Sequence, residues 1–228
     1  MKSQLEQIKI FQGILPETMK ELEINGCITE EKKGKILIQA RQEAPYVYFQ
    51  LSGKSFIYNL THSGQRKILF IFGTGALLNE RILNHHTSAV FCETLEKSSI
   101  FKIPSSIFIS LMEKDFRLTQ NILAEQEKKL WRLSHQLKNT TGGIFLEKKL
   151  ASKLWKLARD FGIPSGEEIE IDMNLSITFL ADMLGVPRET ASRACSMLID
   201  YGLIKMEKKR IIIVNAHKMS AFYRNSKI

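Results

Sequence analysis

The chain has 228 residues, 44% of them apolar and 25% charged, an ordinary globular composition with room for one large domain or two modest ones. No apolar run approaches the roughly 20 residues needed to cross a bilayer, and the opening MKSQLEQIKIFQ lacks the apolar stretch of a secretory signal; a cytoplasmic protein with no membrane partner is expected. The net charge of +9 divides into +2 over residues 1–115, +3 over 116–143 and +4 over 144–228, so the excess leans toward the C-terminal half and suits an anionic partner such as DNA.

In chain order, the first region runs to residue 113. After a short helical start (Leu5, Ile8, Phe11, then Pro16-Glu17-Thr18), the texture becomes β. KILIQA (35–40), YVYFQLSG (46–53), KSFIYNL (54–60), RKILFIFG (66–73) and SSIFKIP (98–104) are rich in β-branched and aromatic residues. Gly34, Pro45, Gly53, Ser63-Gly64, Gly73 and Gly75 punctuate them. Short strands with turns at this spacing predict an antiparallel barrel or jelly roll. Cys27, Cys92 and Cys195 are widely separated with no CxxC spacing, which argues against a disulfide framework, a zinc site or an iron–sulfur cluster.

The second region, about 106–140, contains neither Gly nor Pro. Phe116, Thr119, Leu123, Gln126, Leu130, Leu133 and Leu137 recur in alternating steps of three and four, the a/d seam of a helix that pairs with a parallel partner. Leu118 and Ile122 lie off this seam, so the same helix can also pack on the β domain. Thr141-Gly142-Gly143 reads as a hinge.

The third region opens with a helix, FLEKKLASKLWKLARDFG, whose Leu146, Leu150, Leu154, Leu157 and Phe161 keep helical spacing. EEIEIDM (167–173) reads as a short strand. SITFLADMLGVPRETASRACSMLIDYGLI (176–204) then has the punctuation of a helix-turn-helix. Ser176 caps the first helix and is also a candidate DNA contact, Leu180, Ala181 and Leu184 face inward, and Gly185 supplies the turn. Pro187 stands where a missing N–H does no harm. KMEKKRIIIVN (205–215) reads as two strands around a basic tip, a wing. The exposed first turns of the second helix carry Arg188, Glu189, Thr190, Ser192 and Arg193. Arg can donate twice to guanine O6/N7 and Glu can accept from cytosine N4. Arg188, Thr190 and Ser192 can reach a base edge or phosphates, and Lys208, Lys209 and Arg210 suit backbone contact.

At PRETASR (187–193) the sequence resembles the cyclic-AMP-receptor/FNR (CRP/FNR) family of bacterial transcription regulators, and the resemblance extends over nearly the whole chain. Carried over by position, Glu189 and Arg193 are the base readers, Arg188 matches the extra arginine of the cyclic-AMP receptor, and Ser192 matches the serine of the FNR branch. The resemblance implies a homodimer on a palindrome whose half-sites contain a TGA core, with RNA polymerase as a further partner. Gly34, the Ile36/Ile38 strand, Tyr48-Phe49-Gln50-Leu51, Gly53, Gly64 and Gly75 follow the spacing of a cyclic-nucleotide-binding fold. The family's phosphate cassette would fall on Asn79-Glu80 and Thr87-Ser88-Ala89, making Glu80, Arg81, Thr87 and Ser88 the candidate effector residues. Here Asn79 stands in place of the cassette's glycine and Thr87 in place of its arginine. Without that arginine a partly buried phosphate lacks its counter-charge, which argues against cyclic AMP. Only Cys27 stands where an FNR-type cluster needs several cysteines. His85-His86, in a polar loop, are weak candidates for haem, and nothing marks Cys27 or Cys92 as a redox switch.

The expected architecture is α+β: an N-terminal β-roll of the cyclic-nucleotide-binding jelly-roll type (1–113), a dimerisation helix and hinge (114–141), and a C-terminal winged helix-turn-helix (142–228). The expected function is an operator-binding regulator whose effector, unknown and not cyclic AMP, changes how the two long helices pair and so orients the recognition helices on half-sites about 10–10.5 bp apart. An effector-independent regulator and a small-molecule-sensing adaptor without DNA binding are the alternatives. No G-x-S-x-G, P-loop, H-E-x-x-H or Cys/His nucleophile arrangement suggests an enzyme.

Overall fold

A computed structural model describes residues 2–62, 64–83, 87–138 and 145–224. The predicted hinge at 141–143 and the His85-His86 pair lie outside the described residues. The chain divides into two compact units, one formed by residues 1–61 with 68–134, the other by 62–67 with 135–228.

The first unit holds seven strands: β1 (Cys27–Glu31), β2 (Ile36–Ile38), β3 (Tyr46–Ser52), β4 (Ser55–Leu60), β5 (Arg66–Phe72), β6 (Phe91–Thr94) and β7 (Ser98–Pro104). They form two antiparallel sheets, ordered β1-β7-β3 and β2-β6-β4-β5, and a bridge from Phe49 to Leu77 extends β3. Strands β3 and β7 are covered on both faces. Val47, Phe49, Leu51, Phe101 and Ile103 pack with Leu5, Phe11, Leu22, Phe108, Leu118 and Ile122 of the flanking helices, while Tyr48 and Ile100 face the roll interior with Phe70, Phe72, Leu78 and Cys92. Two-sided burial explains why YVYFQL and SSIFKIP read as continuous apolar runs rather than an alternation. The buried amide of Gln50 is satisfied by Ser52 O (2.7 Å) and the Ser55 hydroxyl (2.7 Å). At Gly53 the turn between β3 and β4 needs φ of +76°, and a Cβ there would stand 2.5 Å from Lys97 O, so only glycine closes this hairpin without strain.

The helices of this unit are α1 (Lys2–Leu5), a 3-10 turn (Lys9–Phe11), α2 (Pro16–Asn25), α3 (Ser105–Lys114) and α4 (Phe116–Lys138). The stretch without Gly or Pro that the sequence predicts as one helix over 106–140 is two helices among the described residues. Asp115 makes the break: its Oδ1 accepts from the amides of Arg117 (3.0 Å) and Leu118 (3.2 Å), capping α4, and its Oδ2 accepts from Leu15 N (2.7 Å). A carboxylate that caps the next helix offers the backbone an alternative to continuing the first one.

The second unit contains α5 (Leu146–Phe161), the hairpin β8 (Gly162–Ser165) and β9 (Glu168–Ile171), α6 (Ile177–Leu184), α7 (Arg188–Asp200), the hairpin β10 (Ile204–Glu207) and β11 (Arg210–Ile213), and α8 (Ala216–Arg224). Its antiparallel sheet runs β10-β11-β9-β8. Leu150, Leu154, Leu180, Leu184, Leu198, Ile211 and Met219 are buried, joining α5, α6, α7, β11 and α8 around one core. Among the described residues no helix is long and apolar enough to cross a membrane.

Candidate nucleic-acid interface

Helix α6 begins where Ser176 Oγ accepts from Phe179 N at 3.1 Å, and ends at Gly185, which turns the chain in the left-handed region (φ +71°). The Gly185 and Val186 amides both return to Ala181 O, at 2.7 and 3.2 Å, which satisfies the last carbonyls of the helix. Pro187 then caps α7 through its carbonyl, which accepts from Thr190 and Ala191. Ala181, Ala191 and Ala194 are buried, so α6 and α7 approach closely through small side chains.

The inward face of α7 is Ala191, Ala194, Cys195 and Leu198. Its outward face presents Arg188, Glu189 and Arg193 to solvent, with Thr190 and Ser192 half-buried beside them. Arg188, Glu189, Ser192, Arg193, Ser196 and Met197 line one shallow open cleft. Arg193 and Glu189 are one turn apart, yet no ion pair within 4.0 Å joins them among the described residues; both charged ends are available to another molecule.

The wing turns through Glu207-Lys208-Lys209-Arg210, which pairs β10 with β11. Lys208 and Lys209 both have positive φ (44° and 73°), the type I′ geometry that Asn-Gly normally fills. For a non-glycine residue that conformation costs roughly 1–2 kcal/mol. Lys209 O accepts from Leu175 N (2.8 Å), and both lysine side chains are exposed. Arg210 behaves differently. Its Nη1 donates to Asp172 Oδ1 (2.7 Å) and its Nε lies 3.7 Å from Glu170 Oε1, so the structure places it in ion pairs that tie the wing to β9, whereas the sequence puts it at the basic tip. Lys205 and Glu168 form a second such tie.

In the first unit the candidate effector residues do come together, but on one another. Glu80 Oε1 accepts from the Ala89 amide and lies 3.4 Å from Ser88 Oγ. Ser88 Oγ also donates to Val90 O (2.8 Å), and Arg81 Nη1 reaches Thr87 O (3.4 Å). Asn79, at the cassette's glycine position, is buried and works as a piece of strand: Oδ1 accepts from Tyr48 N (2.7 Å) and Nδ2 donates to Tyr46 O (3.0 Å). The sequence reading missed Lys129, whose ammonium donates to Leu77 O (3.0 Å) and Asn79 O (2.9 Å). Its signal was available, because Lys129 sits seven residues after Ile122 on the buried stripe of α4. Cys92 is fully buried, and burial pushes its thiol up to about 12, which suppresses the reactive thiolate. Among the described residues no three His, Cys, Asp or Glu side chains cluster to hold a metal.

A β-roll of cyclic-nucleotide-binding type followed by a helix-turn-helix and wing defines a class of DNA-binding transcription regulators. Residues 29–115 match the cyclic nucleotide-binding domain family and residues 148–222 the Crp-like helix-turn-helix domain family. The fumarate and nitrate reduction regulatory protein of Salmonella typhi is 26% identical over 230 residues, covering 95% of this chain and 88% of that protein. Among solved structures, FixK2 from Bradyrhizobium japonicum superposes with a TM-score of 0.72 at 20% identity (86% of this chain, 96% of that one). A CooA mutant from Carboxydothermus hydrogenoformans does so with 0.72 at 19% identity (95% and 99%). The chain belongs to the CRP/FNR family of transcription regulators.

Proposed function

We propose that the protein is a homodimeric, sequence-specific regulator that binds a palindromic operator with TGA-containing half-sites. The observation that carries this reading is the open face of α7, on which Arg188, Glu189 and Arg193 stand exposed and unpaired above an alanine-lined inner face. Glu189 and Arg193 read base edges, Arg188, Thr190 and Ser192 reach bases or phosphates, and Lys208 and Lys209 grip the backbone. Two lysines held in a strained turn where Asn-Gly would be cheaper support a phosphate-binding role for the tip. Ser176 acts from behind as the α6 cap, and Arg210 anchors the wing. Dimerisation is supported by the row Phe116, Leu123, Leu130 and Leu137, seven residues apart and all exposed on α4. RNA polymerase is the expected partner once the operator is bound.

The effector is not cyclic AMP. Glu80 and Asn79 already engage the groups around them, and the cassette carries no arginine at Thr87. The same internal bonding favours a second reading, a regulator that needs no ligand in this cassette at all.

Selection from a random-site DNA library at fixed near-physiological salt tests the proposal, with Glu189→Ala and Arg193→Ala beside the wild type. The expected result is a two-fold palindrome enriched by the wild type and lost by both variants, each costing about 1–3 kcal/mol per half-site. A palindrome equally enriched by either variant would overturn the assignment of the readers.

A further inference from the structure

Helix α4 carries a polar stripe distinct from its exposed leucines. Gln126, Lys129 and Arg132 are three residues apart and so share a face. Gln126 Nε2 donates to Glu80 O (3.4 Å), Lys129 Nζ to Leu77 O and Asn79 O, and the Arg132 guanidinium lies 5.5 Å from the centre of the Phe70 ring. Lys129 is only 9% exposed and also stands 5.4 Å over the Phe72 ring. Its acceptors are carbonyls, with no carboxylate in ion-pair contact among the described residues, a costly way to fill space that methionine would fill without charge. What the ammonium adds is geometry: one side chain of α4 holds two carbonyls of the cassette, and its neighbour three residues back holds a third. Leu130 follows Lys129 directly and lies about 100° around the helix, 66% exposed. Fixing Lys129 against residues 77–80 therefore fixes the rotation of α4, and with it the direction in which Leu123 and Leu130 point.

We propose that Lys129 is an internal latch: it binds the Leu77–Glu80 cassette from within and sets the face that α4 offers to a second copy of the chain, with no ligand required. The seam half of this proposal rests on the dimer reading above; the latch half does not. Lys129 is a positioning residue, and its role separates from simple packing through two readouts on the full-length protein. Hydrogen exchange reports segments 76–82 and 122–133, and sedimentation equilibrium reports the dimer dissociation constant, for wild type, Lys129→Met and Lys129→Arg. In Lys129→Met, exchange rises at least 10-fold in both segments while the β1–β7 pair keeps its protection, and the dimer weakens at least 10-fold. Lys129→Arg, which keeps a cation with several donors, moves both readouts back toward wild type. If circular dichroism shows Lys129→Met unfolded, Lys129→Gln is read in its place. Exchange that rises in one segment only, or uniformly through the β-roll, or not at all, overturns the latch. A monomeric wild type overturns the dimer reading and the seam half, and the exchange arm still decides the latch. A dimer constant unmoved in a variant with loosened segments overturns the seam half alone.

Discussion

The Lys129 ammonium is held nine-tenths out of water with carbonyls as acceptors, and that leaves a thermodynamic mark. Desolvation, set against weaker attraction from Glu125, Cys92 and Glu80, lowers its pKa from 10.5 to about 8. Between those two values the unfolded chain binds more protons than the folded one, so stability must rise with pH across that window. Below pH 8 the desolvated ammonium costs roughly 3 kcal/mol; the cost shrinks as pH rises and is gone above 10.5. Urea unfolding at pH 7.5 and pH 10 should show this rise in the wild type and its absence in Lys129→Met, the variant cancelling the background of surface lysines and tyrosines. Equal pH slopes in the two proteins would mean that Lys129 is neither buried nor desolvated in solution. Single residues were unequally legible in the sequence. Ser176 and Gly185 announce themselves, because capping and left-handed turns need those residue types. For Lys129 spacing shows only that it falls on the buried stripe of α4, and for Asn79 not even that; the partners of both are backbone carbonyls and amides about fifty and thirty residues away.

At the scale of elements, α4 depends on where it starts. Asp115 is 2% exposed; burial pushes its carboxyl up, but hydrogen bonds from the amides of Leu15, Leu118 and Arg117 and from the Thr18 hydroxyl outweigh burial and leave the pKa lowered. A depressed carboxyl stabilises the fold above its ordinary pKa, and the contribution disappears as pH falls through the folded value. Asp115→Ala removes the cap of α4 and the acceptor for Leu15 at once. A loss of about 2 kcal/mol is expected, or a melting point about 4–8 °C lower. Asp115→Asn, which keeps one acceptor, should lose less than Asp115→Ala at pH 7 and approach the wild type only below pH 3.8, as the folded carboxyl takes up its proton. A gap between wild type and Asn that stays constant as pH falls from 5 to well below 3.8 would show that the carboxylate charge plays no part. Residue spacing runs α3 and α4 together because the break at Asp115 uses neither Gly nor Pro. It also misses β1, β6, β8 and α8, whose residues are too short a run or too mixed in pattern to stand out. The winged hairpin and the two helices before it were legible, since each is bounded by a residue with one conformational job.

For the whole molecule the decisive surface is the one that a single chain leaves open. Two of the seven positions of the predicted a/d seam are engaged within the chain: Thr119 donates to Met112 O and Gln126 to Glu80 O, so those two serve the protomer. The row Phe116, Leu123, Leu130, Leu137 remains exposed, joined by Leu133 and Trp131. Residue spacing alone cannot tell which positions of a heptad bond within their own chain, so the seam as spaced includes Thr119 and Gln126 along with the exposed apolar positions. Leu130→Glu places a charge near the middle of the open row and leaves the Lys129 contacts and the core untouched. Sedimentation should show a monomer with an unchanged far-ultraviolet spectrum. Its affinity for the palindrome should fall by 100-fold or more at constant salt, because the second recognition helix no longer binds at the high effective concentration that a tether provides. The dependence of log Kobs on log salt should flatten to about half, as one subunit neutralises half the phosphates. Full operator affinity with an undiminished salt slope would place the dimer contact elsewhere, because a monomer with one basic wing and one recognition helix has only one set of charges to offer the backbone.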